Sequence, residues 1–273
     1  MLEGKMNILK KTGSFFKAMT PVIVYFAVQV LIGTIGLSIT FAAEMISSSA
    51  FPDTITEKSK QIINIAVNLI CLFAAFTEMK IHRFSFKDIS PIRQNGRVYI
   101  FTVLFSIGAF FVFKFAESFF VQITGMEDPM SSKEFTGVLA VLTLIAFLTG
   151  AFTEGLVFGG LTVKTFEKHF PVWVGAAAAI VTLTLGHDEF SICYMLLFSA
   201  SLMFIIYKFG DLKLCILVYV IMTFLPVAMT FVNKEHYNMV INIGSAFGIV
   251  ITAAAMYFMV KFAAKVEQTS DER

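Results

Sequence analysis

Eight long apolar segments constrain this chain more than any other feature of its sequence. A helix needs roughly 20 mostly apolar residues to cross the hydrocarbon core of a bilayer, and these segments reach or approach that length. Backbone N–H and C=O groups must be hydrogen-bonded within the protein in such surroundings, so each segment folds as a helix. The sequence therefore predicts an all-α, polytopic membrane protein, one bundle with about eight transmembrane helices at residues 21–43, 61–79, 98–119, 135–163, 171–187, 191–207, 212–232 and 239–262.

The composition agrees with a membrane protein and excludes a soluble one. Hydrophobic residues make up 57% of the 273 residues and charged residues 15%, whereas a soluble domain carries about 25% charged residues. The excess of apolar side chains has to face lipid, so the lipid bilayer is the first partner that the sequence predicts. No stretch between the segments is long enough for a soluble domain, and we interpret residues 1–273 as a single membrane domain.

Nucleic acids, cofactors and metals are not indicated. The net charge of +2 is too small to point to a nucleic acid as partner. The three cysteines (Cys71, Cys193 and Cys215) lie in apolar segments without CxxC spacing, so neither a disulfide framework nor a zinc site is predicted. The chain also lacks the HExxH motif, and we predict no cofactor and no metal.

The distribution of basic residues predicts the orientation of the spans. Lys and Arg are enriched in the cytoplasmic loops of membrane proteins. With eight crossings, sixteen Lys and Arg fall on the side that holds both chain ends, against four on the other side. We therefore predict a multi-pass protein of the cell membrane with its N- and C-termini in the cytoplasm.

Glu154 is the ionisable residue that is most out of place. It lies in the longest apolar segment, in the stretch TGAFTEGLVFGGLTVKTF, with no cation close in sequence. A carboxylate at membrane depth costs roughly 2.5–3.5 kcal/mol on the mildest insertion scale. Gly150, Gly155, Gly159 and Gly160 surround it, which predicts either close helix packing or a local break in the helix. The sequence leaves open whether Glu154 has a functional role or whether this segment serves only helix packing.

His187 ends the apolar run AAAAIVTLTLGH of the fifth segment. A histidine there is either an interfacial residue or a partner for a buried carboxyl group. Glu154 lies about 20 residues into a span that runs inward, and His187 lies 16 residues beyond Pro171 on the next span. At about 1.5 Å per residue, straight helices would place the two toward opposite leaflets. A late start or a break in the fourth span would bring them together.

Two other polar pairs within the spans favour structural roles. Lys114 and Glu117 are three residues apart, and we expect them to pair on one helix face and to snorkel to the interface. Asn64 and Asn68 are four apart, and we expect them to bond to a neighbouring helix.

The segments around Glu154 and His187 resemble the CAAX-protease and bacteriocin-processing family, also called CPBP or Abi proteins. That family has a similar number of membrane helices and the motifs EExxxR, FxxxH and HxxxN. In TEGLVFGGL, Glu154 takes the position of the first motif glutamate, and in LTLGH, His187 takes that of the motif histidine. The resemblance covers residues of about 135–225. It implies peptide hydrolysis inside the membrane, in which a glutamate paired with a histidine activates water.

The chain departs from the family pattern at several motif positions. Gly155 replaces the second glutamate, Gly159 replaces the arginine, and Leu183 replaces the phenylalanine that precedes the motif histidine. These departures remove the arginine of the family and leave the hydrolytic pair in place.

The third motif is matched only through the turn that precedes it. Tyr207 and Gly210 match that turn, which puts the histidine position on Tyr219 and the asparagine position on Thr223. The resemblance implies that these two residues would stand as oxyanion donors. A tyrosine hydroxyl can fill that role, because a phenol donates a hydrogen bond.

The resemblance thus implies an intramembrane endopeptidase that cleaves a prenylated protein or a peptide, with Glu154 as general base and His187 as its partner. The alternative is a family member without catalysis, acting as a bacteriocin-immunity factor or a membrane scaffold, which the missing Arg, His and Asn favour. A small transporter is a third reading, based on Glu154, Lys114 and Asn64 at membrane depth. The absence of an inverted repeat in the sequence speaks against it.

Overall fold

A computed structural model describes residues 2–48, 56–90, 94–125, 137–186, 192–229, 232 and 234–271. Over these residues it is built of helices without a strand: α1 (Leu2–Ser48), α2 (Glu57–Ile81), α3 (Phe86–Ile89), α4 (Gly96–Thr124), α5 (Val138–Glu154), α6 (Val163–Glu167), α7 (Val172–Leu185), α8 (Ile192–Phe209), α9 (Leu212–Met229) and α10 (Lys234–Asp271). A π-helical segment, Gly155–Thr162, joins α5 to α6 without interruption.

Seven helical stretches in the described part of the chain are long and apolar enough to cross a membrane. The predicted all-α, polytopic fold is confirmed, and the chain is a multi-pass membrane protein. The fifth predicted span, 171–187, is shorter than predicted and corresponds to α7, which has 14 residues. At about 1.5 Å per residue it is about 21 Å long, against a hydrocarbon core of about 30 Å.

The chain divides by its contacts into two compact units. Unit 1 comprises Met1–Ser85 and Thr136–Ala176, and unit 2 comprises Phe86–Phe135 and Ala177–Arg273. Unit 1 therefore holds α1, α2, α5, the π segment and α6. Unit 2 holds α3, α4, α8, α9 and α10, and the boundary between the units falls within α7.

Polar side chains join the helices of unit 1. The side-chain amide of Asn68 on α2 donates to the carbonyl oxygen of Ala146 on α5 at 3.1 Å. Thr153 donates in return to the carbonyl oxygen of Asn68 at 3.1 Å, and Thr165 on α6 donates to that of Ala18 on α1 at 2.8 Å. Such bonds hold helices together where no water competes. The prediction that Asn68 bonds to a neighbouring helix is confirmed, whereas Asn64 is exposed.

In unit 2, glycines bring α4 and α10 into direct main-chain contact. A Cβ atom added to Gly108 would lie 2.9 Å from the carbonyl oxygen of Gly248 and 2.6 Å from the hydroxyl of Thr252. Small residues at membrane interfaces allow this close approach, because the attraction between the helices comes from packing rather than from exclusion of water.

A buried carboxylate anchors the turn between α8 and α9. Gly210 has a positive φ of 58° and ends α8, as glycines often do at helix C-termini. Asp211, which is 1% exposed, accepts hydrogen bonds from the hydroxyl of Tyr99 at 2.7 Å, from that of Ser90 at 3.1 Å and from the backbone N–H of Lys213 at 2.9 Å. The turn expected at Gly210 is thus present, and Asp211 ties it to the start of α4.

The α4–α10 contact yields a stability prediction. Gly108→Ala and Gly33→Ala both gain about 1 kcal/mol of helix propensity, but only the first adds an atom to a filled space, since nothing lies within 4 Å of a Cβ at Gly33. We expect Gly108→Ala to be less stable than Gly33→Ala by about 1–3 kcal/mol, measured by thermal unfolding in detergent. Equal stability of the two variants would contradict the contact.

Candidate functional site

Glu154 lies near the middle of a membrane span. It is the seventeenth residue of α5, within a helical stretch of 30 residues from Val138 to Glu167. At about 1.5 Å per residue, about 24 Å of helix precede it. Its side chain is 6% exposed. The later start of this span, at Val138 rather than 135, places Glu154 closer to the centre than the sequence predicted.

The backbone changes its hydrogen-bonding pattern immediately after Glu154. The π segment Gly155–Thr162 is buried throughout, and the hydroxyl of Thr162 donates to the carbonyl oxygen of Val157 at 2.8 Å. The helix therefore widens at these glycines and does not break, so the local break, one of the two alternatives left open by the sequence, is not present. A break would leave backbone groups without partners in an apolar medium, and a π turn keeps them paired. Such segments are rare and often lie at functional sites.

Tyr25 on α1 contacts the Glu154 carboxyl group directly. The Tyr25 hydroxyl donates a hydrogen bond to Glu154 Oε1 at 2.9 Å, and Gln29 Nε2 donates to the Tyr25 hydroxyl at 2.6 Å. The Tyr25 ring packs edge-on against Phe158 of the π segment, with ring centroids 5.2 Å apart. These contacts connect Gln29, Tyr25 and Glu154 in one polar chain, in which Tyr25 and Glu154 are buried and Gln29 is half-buried.

Sequence reasoning missed Tyr25 and Gln29. The available signal was their spacing, because two polar side chains four residues apart within an apolar span share one helix face. Their partner could not be inferred, since 129 residues separate Tyr25 from Glu154.

A narrow gap lies beside this polar chain, between α1, α2 and the π segment. No part of it is wide enough for a water molecule. Small and apolar side chains form most of its wall, together with Tyr25, Cys71 and Glu78. Water would reach the neighbourhood of Glu154 through this gap only if the surrounding helices moved apart.

The structure describes two of the three remaining predicted site residues. His187 falls outside the described residues. Tyr219 and Thr223 lie on α9 of unit 2, whereas Glu154 belongs to unit 1. The Tyr219 ring is buried edge-on against Phe198, with centroids 4.9 Å apart. The hydroxyl of Thr223 donates to the carbonyl oxygen of Tyr219 at 2.8 Å, so these two predicted oxyanion donors are linked to each other within one helix.

Unit 2 contains a buried ion pair. Lys114 and Glu117 on α4 form a salt bridge of 2.5 Å, and their side chains are 2% and 1% exposed. The expectation that they pair is confirmed, and the expectation that they snorkel to the interface is wrong. Their spacing shows that they share a face of α4, but only the fold shows that other helices cover this face.

The aromatic ring of Tyr194 on α8 lies beside this ion pair. The Lys114 ammonium lies 5.6 Å from the centroid of the Tyr194 ring, within range of a cation–π attraction. The Tyr194 hydroxyl donates to the carbonyl oxygen of Met222 at 3.0 Å. That carbonyl lies one turn before Pro226, which has no N–H to offer it. Tyr194 thus supplies the hydrogen bond that the proline of α9 removes.

No metal centre is evident in the described part of the chain, where no three His, Cys, Asp or Glu side chains come close enough to hold an ion. Comparison with known proteins finds no match for this chain among family models, curated proteins or solved structures.

The buried ion pair yields a prediction on stability. Lys114→Met should lower the free energy of unfolding by about 3–5 kcal/mol, because it leaves the Glu117 carboxylate buried without its cation. The double variant Lys114→Met/Glu117→Met should recover most of that loss. Thermal and denaturant unfolding in detergent would measure both.

An exposed pair of the same spacing serves as the control. Lys60 and Glu57 are 2.7 Å apart at 44% and 55% exposure, and Lys60→Met should change stability by less than about 1 kcal/mol. A loss at Lys114 no larger than that at Lys60 would contradict the burial of the pair.

Proposed function

We propose that the chain is an intramembrane endopeptidase of the CPBP type, in which Glu154 acts as general base with His187 as its partner. The observation that carries this proposal is the environment of Glu154. It is a buried carboxyl group at mid-span, at the start of a π segment, and it accepts a hydrogen bond from Tyr25.

The free-energy cost of placing the Glu154 carboxyl group inside the membrane supports a functional role for this residue. A carboxylate at this depth costs roughly 2.5–3.5 kcal/mol, and intramembrane ionisable residues are by default candidates for functional sites. Tyr25 fixes the orientation of the Glu154 carboxyl group through Oε1, and Gln29 fixes Tyr25 in turn. A general base has to be held in a defined direction toward the proton that it removes.

The proposed reaction needs water, a base and an oxyanion donor. Glu154 takes a proton from a water molecule as the water oxygen attacks the peptide carbonyl carbon. The C–N bond then breaks, and the same proton passes to the leaving nitrogen. The family resemblance implies that His187 shares this proton and that Tyr219 donates a hydrogen bond to the oxyanion. One such donor contributes about 10²–10³ in rate, so the absence of the asparagine of the family predicts a slow enzyme.

Cleavage by the purified protein tests this proposal. The substrates are prenylated peptides and hydrophobic peptides in detergent or liposomes. Glu154→Gln should lower kcat by a factor of roughly 10²–10⁴. Tyr25→Phe removes one hydrogen bond to a carboxylate, worth about 1.5–3 kcal/mol, and should lower kcat with little change in KM.

Glu57→Gln is the matched control, because Glu57 is an exposed glutamate outside the site. It should cleave at the wild-type rate, and all three variants should unfold cooperatively. Full activity of Glu154→Gln would overturn the proposal.

A non-catalytic member of the same family is the second candidate function. The gap beside Tyr25 admits no water, and glycines stand where the resemblance places a glutamate and an arginine. Such a protein would act as a bacteriocin-immunity factor or a membrane scaffold. In a bacteriocin-survival assay Glu154→Gln would then keep protection, whereas the packing variant Gly108→Ala would reduce it.

We further propose that the protein lies in the cell membrane with both termini in the cytoplasm. The support is the bias of sixteen to four in Lys and Arg between alternate connections. This topology requires the short helix α7 to cross the bilayer, with the connections on either side of it completing the passage.

Reporter fusions test this topology. A fluorescent protein fused after Arg273 should fluoresce, and alkaline phosphatase fused after Gly210 should be inactive, because both positions are proposed to face the cytoplasm. Phosphatase fused after Gly125 should be active as the positive control. If α7 does not cross, Gly210 lies outside and the first two results invert.

A further inference from the structure

A second cavity in unit 1 is separate from the surroundings of Glu154. It has a volume of about 280 Å³ and lies where the ends of α2 and α6 meet α1. Seven described residues line it, of which six are polar and four can carry positive charge: Lys17, Thr20, Ile81, His82, Thr165, Lys168 and His169.

The fold holds Lys168 at this cavity. Its ammonium group donates to the carbonyl oxygen of His82 at 3.0 Å and lies 4.1 Å from the centroid of the Phe84 ring. The rings of His82 and Phe84 stack with centroids 6.0 Å apart. An ammonium has three N–H donors, so the bond to His82 leaves donors for a ligand.

Two acidic side chains lie near the cavity. Glu167 is paired with Lys164 at 2.7 Å, and Glu78 Oε2 lies 3.3 Å from Nε2 of His82, which itself lines the cavity. Lys17 and Lys168 outnumber the Glu78 carboxylate, so these side chains leave a surplus of positive charge at the cavity.

This combination of charge, donors and size fits a phosphate group. Ammonium and imidazole donors bind phosphate oxygens through charge-assisted hydrogen bonds. The volume is near the lower end of the range of about 300–1,000 Å³ for ligand pockets, which leaves room for a phosphodiester and a small head group. Basic pockets between membrane helices on the cytoplasmic side bind anionic lipid head groups.

We propose that the cavity lined by Lys17 and Lys168 binds a phosphate group, presented by the head group of an anionic phospholipid. On the proposed topology this end of unit 1 faces the cytoplasmic leaflet. The assignment does not depend on peptide hydrolysis, because it uses none of the residues of the Glu154 site.

Native mass spectrometry and thermal unfolding of the full chain in a neutral detergent test this proposal. The probes are phosphatidylglycerol, phosphatidylcholine and inorganic phosphate, each titrated separately. Phosphatidylglycerol should bind with saturation and raise Tm, and phosphatidylcholine should do neither. Stabilisation by inorganic phosphate alone would assign the cavity to free phosphate and overturn the lipid as its source.

Charge-removing variants locate the binding. Lys17→Gln should weaken phosphatidylglycerol binding about fivefold, since each Lys near an anionic lipid contributes about 1 kcal/mol. This substitution leaves the Lys168–His82 bond intact, so loss of the fold does not explain the result. Lys17→Gln/Lys168→Gln should weaken binding further.

Lys208→Gln is the matched control. Lys208 lies in the last turn of α8, in unit 2. This variant should bind phosphatidylglycerol as the wild type does. Equal binding by wild type and the Lys17/Lys168 double variant, or equal weakening by Lys208→Gln, would overturn the proposed site.

Discussion

In the apolar interior of a membrane, a polar group without a hydrogen-bond partner is costly, and this constraint explains three irregular features of the described helices. The carbonyl group of Met222, which loses its usual partner to Pro226, is bonded by Tyr194 of another helix. The helix that carries Glu154 widens into a π segment, which keeps its backbone bonds, and does not break at its glycines. The side-chain amide of Asn68 donates a hydrogen bond to α5, so it is not left without a partner in the apolar interior.

The same constraint explains the surroundings of Glu154. A carboxyl group at mid-span could be tolerated as a packing element if it were simply neutralised, but here it belongs to a polar chain that runs through Tyr25 to Gln29. The hydrogen bonds from Gln29 to Tyr25 and from Tyr25 to Glu154 fix the direction of the carboxyl group. Both candidate functions use this fixed direction, but in different ways. An endopeptidase uses the direction to aim a base at water, and a non-catalytic protein uses it to hold α1 against the π segment.

The sequence predicted the features that depend on local composition and spacing, and it failed where distant segments meet. Apolar length and helical spacing were enough to predict the all-α fold, the pairing of Lys114 with Glu117 and the bond of Asn68 to a neighbouring helix. Spacing could not show that Lys114 is buried, because burial depends on which helices cover that face of α4. Tyr25 was missed for the same reason, since its partner is 129 residues away. The apolar run at 171–187 did not reveal that α7 has only 14 residues, because hydropathy does not mark where a helix ends.

The contact of α4 with α10 through Gly108 and Gly248 has a mechanical consequence. Side chains at an interface can change rotamer and let two helices slide in small steps, but a contact between main chains has no rotamers to change. The spacing of α4 and α10 is therefore set by backbone atoms, and the two helices should move as a single rod. Lys114 and Glu117 lie on α4 within three turns of Gly108, so this rod also carries the charged pair. Any rearrangement within unit 2 would then fall to α8 and α9, and α8 reaches α4 through the side chain of Tyr194.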